Sequence, residues 1–295
     1  MGSRLLAISN FGEVGIWNDK EILRAKTGVD CYFPERFFSP CIRGGNLMGL
    51  LKKREKYLLF RGINGEIIKE IYCRGEISAV ACCPGGVIAA TGHPSGGVQF
   101  WNIWEGNLLD FFEGDEEIVR LVFSPDRRYI AAVCYGELAG SVVIYDLGKK
   151  KIVKKCPVEG VPEIAWWEND IIIMSSHIYG NLRGYDIKNR KEVVFKTTSD
   201  FKGYDKIAVS SAGILFLSRT MGVTISIWDI WRGEFLKEVS QDFGAITSIT
   251  VAPDGGFAVG TEKGIIEVWE RRGLDWRISK KIKSKMKDVS FLSFF

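Results

Sequence analysis

The sequence predicts an all-β fold: a seven-bladed β-propeller of four-stranded antiparallel blades, closed where the C-terminal strand completes the first blade. Two observations predict the blades. A strand signature that ends in an aromatic residue recurs seven times at nearly constant spacing, and short hairpin-forming strands flank each copy. The strand patterns at the two ends of the chain predict the closure, so that residues 1–295 form a single domain.

The signature is a run of β-forming residues that ends in an aromatic residue, often followed by Asp or Asn. Good copies are residues 98–102, 142–146 and 225–229. Successive aromatic residues lie 40 to 44 positions apart, a period typical of propellers that have four strands in each repeat. The seven aromatic positions are Trp17, Phe60, Trp101, Tyr145, Tyr185, Trp228 and Trp269.

Two apolar strands joined by a tight turn precede each signature. In the fourth repeat they surround the turn Pro125-Asp126-Arg127, and in the seventh they surround Pro253-Asp254-Gly255-Gly256. Turns of this composition are hairpin signals. A further short strand follows each signature, which gives four strands in each repeat.

The two ends of the chain are complementary. Residues 4–9 form a strand directly before the first signature, so the first blade lacks its inner strand. Residues 289–295 form an apolar strand that has no partner in its own repeat. We expect this strand to dock into the first blade, because the pairing hides two sheet edges.

Composition and local hydropathy indicate a soluble protein. Hydrophobic residues make up 46% and charged residues 26% of the 295, as in ordinary globular domains. The least charged segment, residues 77–101, is interrupted by Pro and Gly, so it is not a membrane span. Residues 5–9 are too short for the apolar region of a secretory signal. We therefore expect a cytoplasmic protein that does not associate with membranes.

No motif of catalysis or of cofactor binding is present. The sequence has neither a phosphate-binding Gly-x-x-x-x-Gly-Lys loop nor a dinucleotide fingerprint. Its two histidines, His93 and His177, fall in strand-connecting turns. We expect their side chains to be solvated and not to bind a metal ion. Among seven cysteines, Cys31 and Cys41 lie in a looser segment and are able to pair. We expect no catalytic residue, no cofactor, no metal site and no small-molecule substrate.

Basic residues concentrate in turns that a propeller places on one face, which we call the lower face. They are either ordinary solubilising residues or a basic arc for RNA or another anionic partner. The candidates for partner binding are Arg127, Arg128, Lys149, Lys150, Lys151, Lys188, Arg190, Lys191, Arg271 and Arg272.

Trp104 and Trp231 each follow a signature tryptophan by three residues, in matching copies of Trp-Asn/Asp-Ile-Trp. The core does not require a large aromatic residue in a turn. Each indole is therefore either an anchor for a partner or a residue that packs over a neighbouring turn.

The insert between the first and second signatures contributes two further candidates, Phe37 and Phe38. Part of this insert must form the inner strand of the second blade. The remainder is able to cap the upper face or to contact a partner.

The repeat resembles the WD-repeat family over essentially the whole chain, best at Trp228-Asp229 and Tyr145-Asp146. The family's Gly-His pair and the aspartate in the turn between the second and third strands are missing. The sequence therefore predicts that the family's buried Asp-His-Ser-Trp hydrogen-bond network does not form.

The resemblance implies a non-catalytic scaffold that binds protein or ribonucleoprotein partners. Two alternatives remain open, because propellers host many functions. One is a module that binds RNA or another anionic ligand through the basic arc. The other is a propeller enzyme with a site in the central channel.

Overall fold

A computed structural model gives the fold. It describes residues 5–9, 13–17, 21–26, 38–43, 46–54, 56–62, 66–136, 140–158, 160–175, 182–195, 206–218, 222–273 and 275–294. Strands and the turns between them account for these residues, and they contain no helix long and apolar enough to cross a membrane. The chain divides into two compact units, of which one comprises residues 35–162 and the other residues 1–34 and 163–295.

The unit of residues 35–162 contains three four-stranded antiparallel sheets, the second, third and fourth blades in chain order. The second blade is β4 (Phe38–Arg43), β5 (Asn46–Arg54), β6 (Tyr57–Gly62) and β7 (Ile67–Tyr72). The third is β8 (Ala79–Cys82), β9 (Ile88–Gly92), β10 (Val98–Asn102) and β11 (Leu108–Phe112). The fourth is β12 (Glu117–Phe123), β13 (Tyr129–Tyr135), β14 (Gly140–Asp146) and β15 (Lys151–Val158).

The other unit contains four sheets of the same kind. The first blade combines β1 (Leu5–Ile8), β2 (Glu13–Trp17), β3 (Glu21–Lys26) and the C-terminal β28 (Phe291–Phe294). The fifth is β16 (Ile164–Trp167), β17 (Ile171–Ser175), β18 (Leu182–Asp186) and β19 (Lys191–Phe195). The sixth is β20 (Lys206–Val209), β21 (Ile214–Ser218), β22 (Thr224–Asp229) and β23 (Glu234–Ser240). The seventh is β24 (Ile246–Val251), β25 (Phe257–Thr261), β26 (Ile265–Arg272) and β27 (Asp275–Lys283).

Burial follows the position of a strand within its blade. Inner strands such as β8, β21 and β25 are buried along their whole length, because neighbouring blades cover both of their faces. Outer strands such as β11 and β19 are largely exposed. The sequence predicted an all-β propeller of four-stranded antiparallel blades, and this prediction is confirmed.

The signature aromatic residues lie on the third strand of each blade and pack into the core between blades. Trp101 joins Leu58 and Phe60 of the second blade, and Trp269 joins Phe216 of the sixth. In five blades the pairing between third and fourth strands shifts register directly before the signature aromatic. Such β-bulges twist the outer strand away from a flat edge.

The C-terminal strand β28 belongs to the same sheet as β1, β2 and β3. β28 pairs antiparallel with β1, with Leu6 opposite Ser293 and Ile8 opposite Phe291. Leu292 of β28 is buried in a hydrophobic core that the first and seventh blades share. Ala258 of the seventh blade belongs to the same core. Of the insert that precedes the second blade, Phe38 begins β4, while the side chain of Phe38 and all of Phe37 lie outside the described residues.

Candidate interaction surfaces

Trp104 lies in the turn after β10 and has 39% of its surface exposed. Its indole Nε1 donates a hydrogen bond to the carbonyl oxygen of Gly86, 3.0 Å away in the turn between β8 and β9. The edge of the ring meets Phe60 of the second blade, with ring centroids 5.5 Å apart. Trp104 therefore packs over its own blade's first turn and still presents part of its ring to solvent.

Trp231 repeats this arrangement in the sixth blade with more of its surface exposed, 65%. Its indole lies over Gly213 in the turn between β20 and β21, so close that a Cβ there would come within 2.5 Å of the indole nitrogen. The ring meets Trp167 of the fifth blade edge to face, with centroids 4.4 Å apart. The indole therefore packs on its neighbours, and one side remains open.

The sequence analysis missed a third tryptophan that makes this turn contact. Trp276 lies on β27, is almost fully buried, and donates through Nε1 to the carbonyl oxygen of Gly255 in the turn between β24 and β25. Its ring meets Phe216 of the sixth blade edge to face. It reaches the turn from the fourth strand instead of from the residues after the signature, which is why the matching positions did not reveal it.

The basic residues of the fourth-blade turns are exposed, but three of them are ion-paired to neighbouring carboxylates. In one of these pairs the partners are far apart in the sequence: Nζ of Lys150 lies 3.7 Å from Oδ2 of Asp110 in the third blade. Pairing lowers the positive charge that an anionic partner would meet. The exposed basic residues are Arg127, Arg128, Lys149, Lys150 and Lys151. The other two ion pairs are Arg128–Asp126 and Lys149–Asp146.

In the other unit, two candidate basic residues also have local partners. Arg272 donates twice to Oε1 of Glu270, through Nε at 2.7 Å and Nη2 at 2.5 Å. The guanidinium of Arg271 lies over the ring of Trp276, 5.6 Å from its centroid. Arg271 therefore shields the buried indole, a packing role that the sequence did not predict.

Lys188 and Arg190 in the turn between β18 and β19, together with Lys191 at the start of β19, form an exposed basic group of this unit. Beneath them lies the buried Asp186. Burial raises the pKa of Asp186, but hydrogen bonds from Asn189 and the charge of Lys191 outweigh burial and hold that pKa below its usual value. The turn is thus a structured hydrogen-bonded loop with three outward-facing cations.

The sequence predicted that His93 is a solvated turn residue. This prediction is wrong, because only 5% of the residue is exposed. Its Nδ1 donates to the carbonyl oxygen of Glu76 at 2.7 Å, so in the neutral ring Nε2 accepts from the Thr91 hydroxyl at 3.2 Å. Nε1 of Trp101 donates to the same hydroxyl oxygen at 3.0 Å. Burial lowers the pKa of His93 below its usual value, although the bond to Glu76 acts in the opposite direction. His177 lies outside the described residues.

His93 lines a cleft at the top of the third blade, which we call the third-blade cleft. Its volume is about 440 Å³. Glycines of the turn between β9 and β10 and of the connection to β12 form part of the lining. The polar and aromatic side chains that line it are those of Arg74, His93, Ser95, Gln99, Phe111 and Glu113.

Comparisons with known proteins point to one class of repeat. The small ribosomal subunit protein RACK1 of Neurospora crassa is 34% identical over 85 residues, which are 29% of this chain and 26% of that protein. RACK1 of Medicago sativa is 27% identical over 158 residues, 54% of this chain and 40% of that protein. The cross-pathway control WD-repeat protein 2 of Flammulina velutipes is 37% identical over 79 residues, 27% of this chain and 24% of that protein. The matches thus span well under half the length of these relatives, and no protein-family model matches the chain.

Structural similarity extends over more of the chain. A chain in the crystal structure of the mitotic checkpoint complex superposes with a TM-score of 0.70 at 10% sequence identity, covering 88% of this chain and 80% of that one. At this identity the likeness concerns the fold alone. The chain is a β-propeller, and parts of it are similar in sequence to WD-repeat proteins.

The third blade carries a variant of the buried hydrogen-bond network that is typical of WD-repeat proteins. The sequence did not predict this variant, in which His93 bonds the Thr91 hydroxyl from a different turn and the same hydroxyl accepts from the indole of Trp101. By contrast, the buried indole nitrogens of Trp228 and Trp269 have no hydrogen-bond partner among the described residues. The blades thus share the packing of the signature aromatic and differ in its polar contacts.

The described part of the propeller contains no group of three or more His, Cys, Asp or Glu residues arranged to hold a metal ion. Buried cysteines that do not form disulfide bonds are Cys73, Cys82, Cys83, Cys134 and Cys156. Burial raises the pKa of the Cys73 thiol to about 12. These thiols therefore pack as small apolar side chains. Of the pair considered in the sequence, Cys31 and the side chain of Cys41 lie outside the described residues.

Proposed function

We propose that this propeller is a non-catalytic, cytoplasmic interaction scaffold that binds a protein or ribonucleoprotein partner. The observation that supports it best is the arrangement of Trp231. Its indole is fixed between Trp167 and Gly213, and yet 65% of the residue is exposed. Tryptophan is enriched at the energetic centres of protein interfaces. A ring that is already held in place loses little conformational entropy on binding.

The relatives add support for the class of partner. Two of the similar proteins are named as small ribosomal subunit proteins, and the structural neighbour belongs to a multiprotein complex. Assembly with protein or ribonucleoprotein partners is therefore the form of scaffold function that we favour. Trp104 would be a second, smaller contact, because less of its ring is exposed.

An affinity capture with matched variants tests the proposal. Wild-type protein, Trp231→Ala and Val194→Ala are used as baits in extract from the native source, and bound proteins are identified by mass spectrometry. Val194 is the control because it is an apolar side chain on β19 with even greater exposure. We expect a partner that is retained by wild type and Val194→Ala and lost from Trp231→Ala. Identical recoveries from all three baits would contradict a role for Trp231.

We further propose that residues 1–295 form one seven-bladed ring closed by β28. The support is that every sheet has four strands and that β28 pairs with β1 at the opposite end of the chain. A compact domain of this length has a radius of gyration of about 19 Å. Small-angle scattering should give that value, whereas two units joined by a flexible connection would give a larger one.

Binding of RNA remains the second candidate function. It is favoured by the exposed turn cations Lys188, Arg190 and Lys191. It is opposed by the ion pairs that engage several of the other basic residues, among them Lys150 and Arg272. Direct titration with RNA at low salt separates it from the protein scaffold.

A further inference from the structure

Three blades place different side chains at one structural position near the top of the blade. The position is the residue on the fourth strand that pairs with the third-strand residue two places before the signature aromatic. In the third blade Phe111 pairs with Gln99. In the fourth blade Lys155 pairs with Val143, and in the seventh Lys281 pairs with Glu267.

The seventh blade shows which group this position accommodates. Glu267 is completely buried, and its two carboxylate oxygens accept no hydrogen bond of good geometry among the described residues. The ammonium of Lys281 compensates the charge, with Nζ 3.3 Å from Oε1 of Glu267. The same ammonium lies against the ring of Phe243. A buried acceptor and an aromatic ring thus enclose a lysine head group.

The fourth blade provides a second example with a different acceptor. Nζ of Lys155 lies 3.0 Å from Oε1 of Glu116 in the preceding connection. The hydrogen bond to Glu116 raises the pKa of Lys155. Glu116 is in turn fixed by the hydroxyl of Ser141, which donates to its other oxygen at 2.5 Å. At this position too, a lysine ammonium is held between blade side chains.

The third blade keeps a buried acceptor but has no lysine at this position, where an aromatic ring stands instead. Phe111 occupies the lysine position and is 55% exposed, while Oε1 of Gln99 is buried and has no hydrogen-bond partner among the described residues. Both side chains line the third-blade cleft of about 440 Å³, together with the exposed carboxylate of Glu113. Leaving a buried carbonyl oxygen without a donor is unfavourable, so a ligand that supplies one would be stabilised there.

We propose that the third-blade cleft binds the side-chain ammonium of a lysine from a partner polypeptide. The ammonium donates to Oε1 of Gln99, lies against the ring of Phe111 and is balanced by Glu113. The third blade thus receives from outside the group that the fourth and seventh blades supply internally. The proposal adds a chemical specificity to the proposed scaffold function and depends on it only for the origin of the lysine.

Arg74, on the opposite wall of the cleft, makes the proposal sharply testable. Its exposed guanidinium repels an ammonium and would attract a carboxylate. Removal of this charge therefore has opposite effects on a cationic ligand and on an acidic one. A cation in the cleft binds more tightly to Arg74→Ala, and an anion binds more weakly.

The experiment is an NMR titration with three small probes that require no partner protein. They are the Nα-acetyl methylamides of lysine, norleucine and glutamate, which share a backbone and differ at the side-chain end. Amide signals of Gly96, Gly97 and Gly114 in the cleft lining report binding. We expect the lysine probe alone to shift them. Its affinity should rise about tenfold in Gln99→Glu, which reproduces the acceptor of the seventh blade, and should also rise in Arg74→Ala.

Each other outcome overturns the proposal. Equal binding of the lysine and norleucine probes would show an apolar cleft without charge recognition. Binding of the glutamate probe, abolished by Arg74→Ala, would show an anion site. If no probe shifts the cleft signals, the cleft has no affinity for a lysine side chain, whether or not the propeller is a scaffold. The Arg74→Ala variant changes an exposed side chain, so it keeps the test valid even if Gln99→Glu impairs folding.

Discussion

The indole of Trp231 in the sixth blade meets the indole of Trp167 in the fifth edge to face, with ring centroids 4.4 Å apart. This contact joins neighbouring blades at a turn while leaving the outer side of Trp231 open. The ring is therefore held by the fold before any partner arrives. Its contributions to folding and to binding are separable, because different parts of its surface are involved.

Trp231→Ala should cost about 1 kcal/mol in the free energy of unfolding, since it removes one aromatic pair from a mostly exposed side chain. In a complex the same substitution should cost about 2 kcal/mol or more of binding free energy. Urea denaturation of the isolated protein and titration with the captured partner measure the two quantities. A loss of several kcal/mol in folding with unchanged affinity would assign Trp231 to packing alone.

Trp104 gives the matched comparison, because it adds a hydrogen bond to the same kind of ring contact. Trp104→Ala removes both the bond to Gly86 and the contact with Phe60, and should cost about 1–3 kcal/mol in folding. Trp104→Phe should recover the ring contact and not the bond. If the Ala and Phe variants are equally stable, the contact with Phe60 contributes nothing.

The buried His93 predicts a pH dependence of stability. Its pKa is lowered in the folded protein, whereas in the unfolded chain a histidine titrates near its usual pKa of about 6.5. The unfolded chain therefore binds more protons as the pH falls through that value. The stabilisation is complete above about pH 6.5 and is lost at lower pH until folded His93 is also protonated.

The measurement is urea unfolding of wild type and His93→Gln over a series of pH values from about 8 to 5. Wild type should lose stability more steeply on acidification than the variant. The variant should also be less stable at pH 8, because it breaks the connection from Glu76 to Thr91. Parallel pH profiles for the two proteins would show that His93 titrates alike in the folded and unfolded states.

The sequence could predict the blades because their signal is local: β-forming runs, hairpin turns and a regular aromatic spacing occur within each repeat. It could not predict which carboxylates lie beside the basic turns. Lys150 pairs with Asp110, which is forty residues away and belongs to another blade. Charge counts along the chain therefore overstated the positive character of those turns.

The third-blade network was missed for a related reason. The family pattern places histidine before the inner strand, and its absence there suggested that no network forms. The relevant signal was present as Thr91-Gly92-His93, whose first and third side chains lie on one side of the chain ten residues before Trp101. Only the fold shows that the Thr91 hydroxyl links His93 to the indole of Trp101.

Binding of RNA, if it occurs, should depend on the cations of the fifth-blade turn. Lys188→Gln, Arg190→Gln and Lys191→Gln together remove three exposed positive charges. The matched control removes three charges from the seventh blade and the segment after it, at Lys280, Lys283 and Lys287. We expect lower RNA affinity and a smaller salt slope only in the first variant, by about one for each lost phosphate contact. No binding by wild type at low salt would end the RNA hypothesis.

The C-terminal segment is attached through both its backbone and its side chains. Ser290 donates its backbone N–H to the carbonyl oxygen of Ile8, 2.9 Å away. The carbonyl oxygen of Val289 accepts from the hydroxyls of Thr247 at 2.6 Å and of Ser248 at 2.7 Å. The segment therefore bridges the first and seventh blades, and its removal would break contacts in both.

Deletion of residues 288–295 should prevent stable folding or cause aggregation, because it exposes the edge of β1 and opens the core around Leu292. Two point variants make the test quantitative. Leu292→Ala creates a cavity in the shared core and should cost about 2–5 kcal/mol. Ser293→Ala, on the same strand, should cost little, because among the described residues its hydroxyl donates to the neighbouring carbonyl of Phe294 alone. Urea denaturation and size-exclusion chromatography measure these effects. A truncated protein that stays monomeric with an unchanged melting temperature would show that β28 does not support the first blade.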